Sequence, residues 1–171
     1  APQQGQHHPD RRPDDGVDQD QAGEHHEQSH SGRQQPSLAE STAAFLLDHP
    51  GWEIRAEVSF NIQGERGVVD LAAWHVSTRT VLLIELKTDI VDVGETIGTF
   101  DRKRRLAGSI AASVGWPAEH AACALIVGDT RTNHRRVEQH GLVFRSSLPD
   151  DGRRLRAWLK APSGRMAALA F

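Results

Sequence analysis

The stretch VVDLAAWHVSTRTVLLIELKT, residues 68–88, constrains this chain more than any other. Two apolar runs flank a short polar turn, the pattern of a β-hairpin whose strands are built for burial. Three charged residues interrupt those runs: Asp70, Glu85 and Lys87. Glu85 and Lys87 stand two apart on a strand and share a face, with Leu82, Ile84 and Leu86 on the other. A two-residue loop at Ser77-Thr78 sets Asp70 opposite Glu85, and one at Thr78-Arg79 sets it opposite Lys87. Either loop gathers the three groups on one side. A three-residue loop without a bulge sends Asp70 to the other face.

Two neighbouring carboxylates repel each other unless a cation joins them. Mg2+ prefers oxygen ligands and is commonly held by one or two carboxylates, waters and a substrate phosphate. Mn2+ is the alternative ion. An ammonium beside such a site stabilises an attacking hydroxide or the phosphate itself, and the chemistry suggested is metal-assisted hydrolysis of a phosphodiester. The lysine is informative. The chain has seventeen Arg but only three Lys: Lys87, Lys103 and Lys160. A lysine at 87 points to a site that needs a compact ammonium, or one able to lose its proton. The competing reading is a solvated strand face carrying an ion pair of little energetic weight.

Around the hairpin the chain divides in two. Residues 1–36 hold seven acidic and three basic residues, and their only residues of the apolar class are Ala1, Val17 and Ala22. Such a segment buries too little surface to offset its ordering entropy, so a disordered acidic, His-rich tail or linker is expected there. Residues 37–171 hold sixteen acids and seventeen bases, a near-neutral domain compatible with a nucleic-acid partner. The single cysteine, Cys123, excludes an intramolecular disulfide, reads as a buried hydrophobe and fits a reducing cytoplasm. No apolar run approaches the length of a membrane span, and the polar N-terminus is not a signal peptide. Ala1 in place of an initiating Met leaves room for an upstream domain.

Within 37–171, Ser37-x-x-Glu40 is a capping-box pattern opening a helix through Leu47. Residues 52–60 alternate as a half-buried strand, NIQGERG is a loop, and strands follow over roughly 67–76 and 80–88. A long helix places Val93, Ile97, Phe100, Ala107, Ile110 and Val114 near one face. AACALIVG is a strand buried on both faces, residues 131–140 are helical with Gly141 as C-cap, and LVF suggests one more strand. Arg153–Lys160 reads as a short helix, and the final residues stay open between helix and strand. The expected order is α-β-β-β-α-β-α, an α/β fold with a mixed sheet flanked by helices.

Asp70, fourteen intervening residues and Glu85-Leu86-Lys87, in that order of elements, resemble the PD-(D/E)xK signature of the restriction-endonuclease-like nucleases. The resemblance covers roughly residues 37–145. GERGVVDLAAW followed by VLLIELKT is especially similar to small bacterial endonuclease-like proteins of unknown role, and in layout to archaeal Holliday-junction resolvases. Val69 stands where the motif has proline. The resemblance implies Asp70 and Glu85 as metal ligands, the Leu86 carbonyl as a further ligand and Lys87 as the catalytic lysine. It matches Glu40 to the helical acid that several branches use at the metal, against its reading as half of the capping box. It also allows an upstream helix-turn-helix domain or a homodimer.

Basic residues supply the expected nucleic-acid contacts. Arg102, Lys103 and Arg105 open the long helix within FDRKRRLAG, and Arg66 precedes the Asp70 strand. Each is individually compatible with a solvated surface, as are Arg131, Arg135 and Arg136, and Glu57 on a polar strand face. His7, His8, His25, His26 and His30 lack a folded scaffold for a specific metal site. The expectation is an Mg2+-dependent nuclease acting on DNA, with RNA as the alternative substrate. A catalytically weak nucleic-acid-binding or regulatory module of the same fold, and an interaction protein with a solvated charged hairpin, are the competing functions.

Overall fold

The computed structural model describes residues 35–171. Apart from its last two residues, the expected tail, with its five histidines, lies outside the described residues. Helix α1 (Leu38–Leu47) starts on the expected capping box: the Glu40 amide donates to Ser37 Oγ at 3.2 Å, and the Ser37 amide donates to Glu40 Oε2 at 2.7 Å. Three antiparallel strands follow in a meander: β1 (Trp52–Ile62), β2 (Glu65–His75) and β3 (Thr80–Lys87). The loop expected between the first two shrinks to Gln63-Gly64, with φ of 51° and 84°. Two successive positive φ values make the type I′ turn that matches the twist of paired strands, so both strands run further into the loop sequence.

The second hairpin settles the register. Leu71 pairs with Ile84 and His75 with Thr80, and the Arg79 amide donates to the Val76 carbonyl across the turn. The two-residue loop is therefore Ser77-Thr78, the arrangement that sets Asp70 opposite Glu85.

Helix α2 (Val93–Ser113) crosses from β3 to β4 (His120–Val127), which lies parallel to β3. Asp92 caps α2 by accepting from the Glu95 amide at 2.8 Å. Its buried face is Thr96, Phe100, Lys103, Leu106, Ala107, Ile110 and Ala111. Helices α3 (Arg131–Gln139) and α4 (Gly141–Ser147) follow. The strand expected at LVF is instead α4, and the α3 C-cap is His140 rather than Gly141. The reason is lateral. The free edge of β4 is taken by β6 (Ala167–Ala170), and the two-residue β5 (Asp150–Asp151) pairs beyond it. Of the three apolar residues only Phe144 is buried, which suits a helix with one inward face. Helix α5 (Gly152–Leu159) forms where expected.

The described residues thus form an α/β fold: a mixed six-stranded sheet, β1-β2-β3-β4-β6-β5, with five helices. One sheet face packs Phe60, Val69, Trp74, Leu83, Cys123 and Leu125 against Phe100 and Ile110 of α2. The other packs Leu71, Ala73, Leu82, Ile84 and Ala124 against Leu46 of α1 and Trp158 and Leu159 of α5. No helix among the described residues is long and apolar enough to cross a membrane.

Strands β1 and β2 change sides partway along. Trp52 and Ile54 face the α1/α5 core, yet Val58 and Phe60, at the same parity, face the α2 core. In β2, Val69 faces the α2 core while Leu71 and Ala73 face the other. The change falls at Glu57 and Asp70, which stand opposite each other by the flanking pairs Ala56–Leu71 and Val58–Val69. Glu57 takes φ of 52°, a backbone conformation that costs a non-glycine residue. The distortion of the outer strand is therefore concentrated beside Asp70.

Candidate active site

Asp70 and Glu85 stand at a fork. The β2–β3 ladder ends at Leu71–Ile84. Beyond it, residues 65–69 of β2 pair with β1, and residues 85–87 of β3 pair with β4. Strand divergence would leave backbone groups without partners, and one is satisfied from a side chain: the Leu86 amide donates to Asp70 Oδ2 at 2.7 Å. The carboxylate of Asp70 thus ties the two strands together where the ladder stops. Its carboxyl is raised above the ordinary value of 3.8, first by burial and then, against the Leu86 bond, by repulsion from Glu85; Lys103 and Lys87 act the other way.

Glu85 is only 5% exposed, and each of its oxygens meets an ammonium. Lys87 Nζ lies 3.1 Å from Oε1, and Lys103 Nζ contacts Oε2 closely. The Lys87 side chain is 34% exposed, so its ammonium reaches the rim. Lys103 is 6% exposed and sits on the inward face of α2, one turn from Phe100 and from Ala107. A buried carboxylate is strongly unfavourable without a charge partner, and the helix supplies it. Two carboxylates and two ammoniums make the cluster formally neutral.

The opening beside Lys87 is a cleft of about 190 Å3 between the end of β3 and the start of α2, lined by Lys87, Asp89, Asp92, Glu95, Thr96 and Thr99. The segment that follows Lys87 is bonded by Asn133, which is 1% exposed. Its Oδ1 accepts from the Ile90 amide at 3.1 Å, and its Nδ2 donates to the carbonyls of Thr88 and Gly128, both at 2.8 Å. Arg136 also turns inward and donates to the Ile90 carbonyl. The segment that follows Lys87 is thereby clamped to α3.

Asp70, Glu85, Leu86 and Lys87 are thus brought together. Two other expectations are corrected. Lys103, expected among the phosphate contacts as part of a basic run, is turned by helical periodicity into the core, onto Glu85. The exposed Glu40 carboxylate is committed to the Ser37 amide, which also holds its pKa below the ordinary value, so it serves as the cap. Arg105 makes two parallel bonds to Glu65, both 2.9 Å, and stays exposed on the surface of α2. Arg66 is exposed on β2. Arg102 is half-buried and lies in an open hollow with Gly98, Asp101, Arg104 and Arg105.

Sequence reasoning did not find the Glu85–Lys103 pair or the Asn133 clamp. The spacing Phe100, Lys103, Ala107, Ile110 carried the signal for the first. A lone asparagine in a polar helix carried none for the second.

Among the described residues, no group of three or more His, Cys, Asp or Glu side chains is gathered as a metal site. The donor set at the fork is two carboxylates next to a backbone peptide, all hard oxygen, which suits Mg2+ or Mn2+. Asp70 keeps one oxygen free of protein hydrogen bonds among the described residues. A cation joining it to Glu85 must share or displace an ammonium. Comparison with models of known families, with curated proteins and with solved structures finds no match.

Proposed function

We propose that this protein is a divalent-metal-dependent nuclease of the restriction-endonuclease-like fold, hydrolysing phosphodiester bonds in DNA. The observation that carries the reading is the convergence of Asp70, Glu85 and Lys87 at the point where β2 and β3 part. A solvated charged hairpin would expose its acid, whereas Glu85 is buried. Asp70 and Glu85 would hold the ion, with the Leu86 carbonyl as a further oxygen. When bound, Mg2+ lowers the pKa of a water and polarises the phosphoryl oxygen.

The chain's own groups do the rest. Asp70 holds the fork closed through the Leu86 amide. Lys87, anchored on Glu85 Oε1 and reaching the rim, can donate to a phosphate oxygen or an attacking hydroxide as charge builds there. The buried side of the cluster excludes water from Glu85. Arg66 and Arg102 supply backbone contacts that set affinity without reading sequence.

A second reading is a nucleic-acid-binding module of the same fold that cleaves weakly. The second ammonium on Glu85 favours it, because it leaves the cluster neutral without a metal. Cleavage of duplex, single-stranded and branched DNA and of RNA, with Mg2+ or EDTA, tests both. Metal-dependent cleavage lost in Asp70→Asn supports the nuclease. Binding without cleavage on every substrate supports the module.

A further inference from the structure

Lys103 lies too deep to touch a substrate, yet it is one of only three lysines and contacts Glu85 Oε2 from below. Resting on the nuclease reading above, we infer that Lys103 is a resident counter-cation that makes metal binding conditional on nucleic acid. The argument is one of charge. Asp70 and Glu85 are balanced by Lys87 and Lys103. A dication entering this cluster alone meets no net attraction and must compete with ammoniums already on both Glu85 oxygens. A phosphodiester brought to the fork adds one negative charge and draws Lys87 towards itself, since Lys87 is the ammonium with access to the rim. Glu85 Oε1 is then released while Lys103 still holds Oε2. The opening itself carries three exposed acids, Asp89, Asp92 and Glu95, against Lys87; they draw a dication to the mouth, and it is the ammoniums on both Glu85 oxygens that oppose its entry into the cluster. Ion and substrate therefore enter together. A cut at a free ion's discretion is avoided, and the buried acid stays paired in the resting protein.

The test is calorimetric titration of Mn2+ into the full chain, with and without a short DNA duplex. Asp70→Asn with duplex serves as the blank for ions taken up by the DNA. The wild type should show saturable binding only with duplex. Lys103→Met, nearly the same shape without the charge, should bind Mn2+ in the absence of DNA, at least about tenfold more tightly than the wild type, because a unit charge a few ångströms from a dication is worth that much even in high dielectric. Lys103→Gln, which keeps a donor for Glu85 should Met destabilise the core, should do the same. A purely structural lysine would give the opposite, since its loss would loosen Glu85 and weaken the ion. Equal Mn2+ affinity of the wild type with and without duplex, or no gain in either neutral variant, overturns the inference and leaves the nuclease reading intact. Absence of Mn2+ binding in every protein, with duplex present, overturns both.

Discussion

Asp70 does two jobs that a single pair of substitutions separates. Its Oδ2 satisfies the Leu86 amide, and its charge sits half-buried beside Glu85. Asparagine keeps an oxygen in the same place, whereas alanine leaves the amide without its partner. An unsatisfied, partly buried amide costs about 1–3 kcal/mol, so Asp70→Ala should fall that far below Asp70→Asn in stability. Asp70→Asn itself should match or exceed the wild type near neutral pH, because it removes a carboxylate whose ionisation burial and Glu85 oppose. The pH dependence follows by linkage. The folded pKa lies above the unfolded value of 3.8, so the folded chain holds this proton more tightly. The penalty is absent below 3.8, grows as pH rises towards the raised folded value, and is complete above it. The stability advantage of Asp70→Asn should therefore shrink as pH falls through that window. Urea unfolding of the three proteins at several pH values measures it, and the difference between variants isolates Asp70 from other acids. Equal losses in Asn and Ala, or a difference that does not change with pH, would refute the reasoning. Cleavage should be lost in both, so Asp70→Asn is expected to be folded and inactive.

Three further outcomes follow from neighbouring groups. Lys87→Arg should fail nearly as badly as Lys87→Ala, by about 10²-fold or more in single-turnover cleavage, because the planar fork cannot replace a compact ammonium 3.1 Å from Glu85 Oε1; substantial recovery by arginine would reduce Lys87 to a source of positive charge. Glu57→Asn should raise thermal stability, by up to about 1 kcal/mol, since Asn tolerates the φ of 52° better than Glu, and a loss would contradict the strain argued there. Asn133→Ala should cost about 1–3 kcal/mol by stranding the buried Ile90 amide and taking a donor from the Thr88 carbonyl, while the Gly128 carbonyl keeps the Thr130 amide; a cost near zero would show that the segment after Lys87 does not depend on this clamp.

How far the site was legible depended on how local its contacts are. The Ser77-Thr78 turn and the shared side of Glu85 and Lys87 follow from neighbouring residues and the pleat, so that much of the hairpin could be read from sequence alone; the end of the ladder at Leu71–Ile84 and the change of face at Asp70 belong to the assembled sheet. The capping box at Ser37 and Glu40 was equally local, and its observed geometry removed Glu40 from the candidate catalytic set. The C-terminal strands were less accessible. Insertion of β6 between β4 and β5 depends on which edge is free, a fact about the assembled sheet, and it left LVF to form a helix.

Lys103 falls between these cases. Its position on the inward face of α2 is written in the spacing from Phe100 to Ile110, but its neighbours Arg102, Arg104 and Arg105 read as a surface run, and charge outweighed period. A helix face is defined by every third or fourth residue, so adjacent arginines say nothing about where a lysine between them points. Burial then inverts the lysine's meaning. On the surface it would have been one more phosphate contact in an arginine-rich chain. In the core it neutralises Glu85 and makes the acid tolerable where water is excluded. The same residue thus lets the fold bury half of its candidate metal site and opposes the ion that the site would hold.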